Sequence, residues 1–532
     1  MKTRIISISI LAFSICMAMV SCQTQQKDPT EEAIEKSFLE EITITQLQQD
    51  YRQEKYTITD VVEEYLERIA AIDQNGPMLN SIIQVNPDAM DIAATLDNEM
   101  AAGHIRGPMH GIPVILKDNI DTHDKMPTTA GSLALQHSFP LKDSWLAKKL
   151  KEAGAIIIAK SNLSEWANFR ADFSSSGWSG VGGQTKNPYI LDRNPCGSSS
   201  GSGVAVSANL CALAFGTETN GSIVCPANNN GIVGLKPTVG LISRSGIIPI
   251  SFTQDTPGPM GRSVKDVAIC LGSLVGIDNE DSKTLGSEGY FKNDYTQFLK
   301  LDGLKGKRIG LLTDVMGYHH KVDTLIQKTV NFLESKGAEV IEIEFPKGNR
   351  YGQASFQVML FEFKDGLNKY FASLGNDAPV RNLTDLIEFN KSDAIELRYF
   401  DQKIIEMAQE KGDLESAEYK EALATMLKAT REQGIDLIME KHKLDAIMAP
   451  TGSPAWKTDL VNGDNFMGGS SSFAAIAGYP AITVPMGFIN ELPVGVSFFG
   501  RAWSEPLLLE IAYAYEQGTN QRRAPKFLAT DQ

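Results

Sequence analysis

Apolar and polar positions along this chain switch between two periods, and the switches mark its elements. Over 57–73, Val61, Val62, Tyr65, Leu66, Ile69 and Ile72 recur at three- and four-residue steps, and Thr57 or Thr59 can cap the start. That spacing puts one apolar stripe along a helix. Residues 88–101 read as a second helix and Gly107-Pro108 as a turn. Ile112–Leu116 is a short, wholly apolar run ending at Lys117. A similar run, Ala155–Ala159, follows a helix over 145–153 that Gly154 closes. Apolar runs without alternation are expected of strands covered on both faces. Ser161 and Ser164 stand where they could cap a further helix, with Glu165 in its first turn. Strands alternating with helices predict an α/β protein with its chemistry on loops leaving the strands.

Past Pro237 come short strand-like pieces around Leu241 and over 247–250, then a strand over 305–312. A helix over 322–336 and a strand over 339–343 follow. Residues 351–442 are mostly helical and highly charged, which predicts a helix-rich insertion or lid over the site. Residues 444–449, 482–485 and 494–499 read as strands, and 470–477 and 505–517 as helices. With no repeat and no linker past residue 40, residues 41–532 are expected to form one domain.

The first residues belong to a different pattern. Lys2 and Arg4 precede a mostly apolar stretch, 5–20, which ends Met19-Val20-Ser21-Cys22 and is followed by a polar run. This reads as a lipoprotein-type signal over 1–22 and a polar tether over 23–40. The expectation is export to the bacterial cell envelope, with lipid attached at Cys22 as the sole membrane contact. The net charge of −15 argues against a nucleic-acid partner, which needs a basic face. Cys196, Cys211, Cys225 and Cys270 have no metal-ligand spacing, and the seven histidines scatter likewise, so no metal is expected. An oxidising compartment would permit a disulfide, with Cys196 and Cys225 the pair to examine.

The candidate chemistry lies between Pro195 and Pro237. Pro195-Cys196-Gly197-Ser198-Ser199-Ser200-Gly201-Ser202-Gly203 is followed, after an apolar segment, by Gly216-Thr217-Glu218-Thr219-Asn220-Gly221-Ser222. A flexible linker would not carry a segment as apolar as 204–213, and a phosphate loop would need a lysine directly after its last glycine. Together with Gly111-Ile112-Pro113-Val114-Ile115-Leu116-Lys117-Asp118, the two clusters resemble the amidase signature family of serine hydrolases. The variant here is most similar to the branch containing bacterial peptide amidases.

The resemblance implies a mixed β-sheet covered by helices on both faces and hydrolysis of an amide to acid and ammonia, without a cofactor. It implies Ser222 as nucleophile, Ser198 as a bridging serine on a cis peptide bond, and Lys117 as base. The backbone N–H groups of Thr219, Asn220, Gly221 and Ser222 would form the oxyanion hole, with Asn220 standing where the family has glycine and tolerating a left-handed backbone. The loop from Ser174, Ser175 and Ser176 to Gly183 would border the substrate. A C-terminally amidated peptide is the first substrate expected, with small aliphatic, aryl or fatty amides as alternatives. A non-catalytic binding lipoprotein and an ammonia-supplying amidotransferase subunit share the pattern, and both stay open. Oligomeric state is not specified.

A lysine base must be neutral. An ordinary lysine, titrating near 10.4, needs about 4–5 kcal/mol of environmental bias to be mostly neutral at pH 7. Burial at the end of 112–116 supplies that sign, and Asp118 is expected to turn aside onto backbone or hydroxyl groups. A rival nucleophile, Ser199 in Gly197-Ser198-Ser199-Ser200-Gly201, would need a downstream histidine, but His319, His320 and His442 all lie in polar contexts.

Overall fold

The computed structural model describes residues 37–346, 351–375 and 378–530. The signal, Cys22 and the tether up to residue 36 lie outside the described residues. Leu39, assigned to the tether by composition, is fully buried, so the packed fold begins before residue 41.

Thirteen strands occur among the described residues: β1 (Ile82–Val85), β2 (Pro113–Lys117), β3 (Ile156–Ser161), β4 (Trp178–Ser179), β5 (Gly183–Gln184), β6 (Leu213–Glu218), β7 (Val233–Lys236), β8 (Thr256–Gly261), β9 (Arg308–Leu312), β10 (Glu339–Ile343), β11 (Ala446–Pro450), β12 (Ala481–Ile489) and β13 (Leu492–Phe499). Eleven of them form one mixed sheet, ordered β1-β3-β2-β6-β8-β7-β12-β13-β11-β9-β10, and β4-β5 is a separate hairpin. β2 runs parallel to both β3 and β6, and all three are wholly buried, in keeping with the apolar residues that open each of them. Helices flank the sheet; Val224–Asn229 and Glu505–Thr519 both pack on β12 and β13.

The differences from the sequence-based expectations have local causes. No helix follows Ser164: a single 3-10 turn, Glu165–Asn168, contains left-handed Trp166 and Ala167. Glu165 accepts the Gly180 N–H and pairs with buried Arg170, so its carboxylate serves a tertiary contact rather than a helix start. The pieces at Leu241 and 247–250 are loops touching by isolated bridges, and the strand lies further on, at β8. The 351–442 region is helical as expected, from Tyr351–Ser373 to Asp436–His442. Its long first helix joins Trp166 and Phe169 in a buried cluster.

Candidate active site

Three elements converge at the end of β2. Lys117, the last residue of that strand, is fully buried. Its Nζ lies 2.7 Å from Ser198 Oγ, 2.9 Å from Thr217 Oγ1 and 3.3 Å from the Thr217 carbonyl. Burial lowers its pKa to about 7, against the upward pull of Asp255 and Glu218. Asp118, one step along the strand, faces away, as expected: it accepts the Thr129 hydroxyl, and the Thr129 N–H at 3.2 Å.

Ser198 follows a cis peptide bond from Gly197. A Cβ on Gly197 would lie on top of Ser164 Oγ, so any larger residue there would displace that hydroxyl. Ser164 in turn donates its N–H to the Ser198 carbonyl at 3.0 Å. The helix Ser200–Ser207 then carries the chain to β6. β6 delivers Thr217 and Glu218, and the turn after it delivers Ser222. The Ser222 carbonyl accepts the Ser199 N–H at 3.1 Å, which fixes the two serine clusters side by side. A disulfide from Cys196 to Cys225 staples the same two segments. Ser199 is unsuited to attack: it is fully buried, donating to the Thr217 carbonyl at 3.1 Å and accepting the Thr217 N–H at 3.2 Å.

The expected oxyanion donors separate into two groups. Gly221 donates its N–H to Glu218 Oε1 at 2.8 Å and so turns away from the site, contrary to its expected role. The N–H groups of Thr219, Asn220 and Ser222 have no acceptor among the described residues. The left-handed position of the turn falls on Gly221, at φ +87°, and not on Asn220. Asn220 instead uses its side chain, accepting from Ser471 at 2.8 Å and donating to Ser472 at 3.1 Å.

A cavity of about 410 Å³ opens beside this turn, lined by Gly197, Asn220 and Gly221 and by Ser174 and Ser176. Ser175 is buried behind the wall, where Asn194 donates to it at 3.2 Å. The far wall is Trp456, Asp464 and Phe466. No local pattern announces these three, because their stretch has no period and pairs only at long range. The helices of 351–442 do not line this cavity; they sit behind the 168–176 loop, where buried Arg170 pairs with Glu396 at 3.3 Å. A larger cavity, about 940 Å³, lies on the other side of Trp456 and Asp464. It reaches neither serine cluster, whereas the smaller cavity is lined by Gly197, beside Ser198, and by Asn220 and Gly221, beside Ser222, so the smaller cavity is the candidate site.

Sequence motifs single out Lys117, Ser198 and Ser222. Thr217, Asn119, Asp255 and the role of Glu218 emerge only from the fold. Asn119 donates to Thr217 Oγ1 at 3.0 Å, and Asp255 accepts the Thr219 hydroxyl at 2.6 Å. A buried lysine beside a serine hydroxyl, next to backbone donors without acceptors, is a constellation for acyl transfer.

Known proteins resemble this chain over most of its length. The peptide amidase of Stenotrophomonas maltophilia superposes with a TM-score of 0.88 at 48% identity, covering 92% of this chain and 99% of that one. A probable amidase of Arabidopsis thaliana is 41% identical, covering 92% of each chain. One component of the glutamyl-tRNA(Gln) amidotransferase of Synechococcus is 34% identical, covering 88% of this chain and 90% of its own. The Amidase family model matches residues 60–509, so this chain, with its amidase signature fold, belongs to the amidase family and is an amide hydrolase.

Proposed function

We propose that Ser222 is the nucleophile, Ser198 the proton bridge and Lys117 the base, acting on C-terminally amidated peptides. The observation that carries this is the environment of Lys117. A neutral amine has two N–H donors and one lone pair. The Thr217 hydroxyl oxygen and carbonyl accept the two N–H groups, which leaves the lone pair for the Ser198 hydroxyl. Ser198 then passes its proton to Lys117 as it takes one from Ser222, and Ser222 Oγ bonds to the amide carbon. The oxyanion accepts from the N–H groups of Thr219, Asn220 and Ser222. Collapse expels the amine, which leaves as ammonia after the proton returns from Lys117 through Ser198. Water then attacks the acyl-enzyme along the same relay and releases the acid.

The peptide substrate is supported by the similarity to the peptide amidase and by an open cavity whose walls mix aromatic rings with hydroxyls. The soluble form beginning after Cys22 should convert the terminal amide of amidated peptides to acid, read as ammonia release and a product mass gain of about one dalton. Turnover of small aliphatic, aryl or fatty amides alone would overturn the peptide reading. Dependence on a co-expressed partner would favour the amidotransferase reading, which the Synechococcus relative keeps in view. Loss of both turnover and phosphonate labelling of Ser222 would favour a binding lipoprotein.

Export and lipid attachment at Cys22 are part of the same reading and rest on the Met19-Val20-Ser21-Cys22 sequence. The full chain expressed in a Gram-negative host should incorporate labelled palmitate, and Cys22→Ala should not. Equal labelling of the two overturns the anchor.

A further inference from the structure

We propose that the cavity mouth selects an apolar group carried next to the scissile amide, with Phe173 and Phe466 as specificity residues and Asp464 as the residue that positions them. The inference rests on the amide-hydrolase reading of the site and narrows its substrate class.

Phe173 and Phe466 stand on two loops that meet at the mouth. Both line the 410 Å³ cavity, and they are 75% and 50% exposed. Single exposed apolar residues are ordinary, but two aromatic rings facing one catalytic cavity mark a surface that becomes covered by ligand. The loops are in close contact: a Cβ on Gly463 would lie 2.5 Å from the Phe173 carbonyl oxygen. Phe466 packs edge-on against Trp456, with ring centres 5.7 Å apart. Among the described residues, the cavity lining includes no lysine, arginine or histidine, so nothing there rewards a carboxylate on the substrate.

One carboxylate ties this mouth to the reacting serines. Asp464 accepts the Ser176 N–H at 3.0 Å and its hydroxyl at 2.5 Å on one side, and the Trp456 indole N–H at 3.1 Å on the other. It also accepts from Asn194 at 3.3 Å. Asn194 takes the Cys196 N–H at 2.8 Å, two residues before Ser198. The same group therefore sets the distance from the aromatic pair to the amide carbon. An apolar group seated between the rings leaves water, and a contact of that size is worth about tenfold or more in kcat/KM.

The test uses two fluorophosphonates of equal length, one with an alkyl chain and one with a polyethylene glycol chain, on the chain starting after Cys22. The rate of Ser222 labelling reads the mouth without requiring that peptides be the substrate. The alkyl probe should label about tenfold faster. In F173A/F466A that ratio should fall to within twofold of one, because the alkyl rate drops. Both side chains are exposed, so their truncation leaves the fold intact. In Asp464→Asn the alkyl-to-glycol labelling ratio should fall toward one. A merely structural Asp464 would lower both labelling rates alike. An alkyl-to-glycol ratio near one in wild type, or one unchanged in the double variant, overturns the proposal. Preserved alkyl preference with no peptide turnover would instead overturn the peptide reading and leave the mouth as inferred. No labelling by either probe overturns both.

Discussion

Ser222→Ala and Lys117→Met should each lower amide turnover by roughly 10⁴-fold or more, because in the proposed relay nucleophile and base act as one unit and the loss of either stops it. Ser222 is 8% exposed and its truncation removes one oxygen, so the protein should keep its melting temperature. Lys117→Met keeps the length and apolar stem of a fully buried side chain without asking the site to hold an amine. Ser222 in that variant should still be present but should react with a phosphonate orders of magnitude more slowly. The pH profile distinguishes a base from a structural lysine. With Lys117 held near 7 by burial, the competent neutral form grows as pH rises. Wild-type kcat/KM should therefore fall about tenfold per pH unit below 7 and level off above it. A profile flat from pH 5 to 8, or Lys117→Met retaining a tenth of the activity, would remove Lys117 from the mechanism.

Lys117 is legible in the sequence because it ends an unbroken apolar run, and such a run predicts both the strand and the burial that neutralises the amine. Alternation continued one residue past the end of β2 then sends Asp118 to Thr129, away from Ser198. The centre of the sheet is harder to read. β8 runs Thr-Pro-Gly-Pro-Met-Gly, a turn-like sequence, yet it pairs between β6 and β7. Pro257 and Pro259 stand two residues apart, so their missing N–H groups fall on the same side and the ladder survives. Glu165 misleads for the opposite reason. Its place after Ser164 suits a helix start, but Arg170 and Gly180 compete for the carboxylate and win. The far wall of the cavity is invisible in the sequence because Asp464 meets Ser176 and Asn194 across 288 and 270 residues. Nothing local reports such a pairing.

Glu218→Gln should lower kcat by about 10²-fold with little change in KM, since it disturbs the placement of Ser222, the proposed nucleophile, and not the cavity proposed to bind substrate. The fully engaged Glu218 carboxylate accepts the Gly221 N–H at 2.8 Å on one oxygen, and the Ile223 and Val224 N–H groups at 2.8 and 3.0 Å on the other. These three donors bracket Ser222. They belong to the turn and to the first residues of the Val224–Asn229 helix, where N–H groups have no partner within the helix. A glutamine keeps the volume but replaces one acceptor with an NH₂ that opposes an N–H. An alanine leaves all three donors without their acceptor. Each buried donor then left unpaired costs about 1–3 kcal/mol, so Glu218→Ala should unfold at much lower denaturant than Glu218→Gln. The charge gives a second readout. Glu218 pulls the Lys117 pKa upward. Neutralising it should therefore move the acidic limb of kcat/KM to lower pH, while the plateau falls. A plateau loss with the limb unmoved would make Glu218 a scaffold for the turn alone. A limb that moves upward would contradict the electrostatic coupling, and activity within threefold of wild type would mean that backbone geometry holds Ser222 in place without the carboxylate.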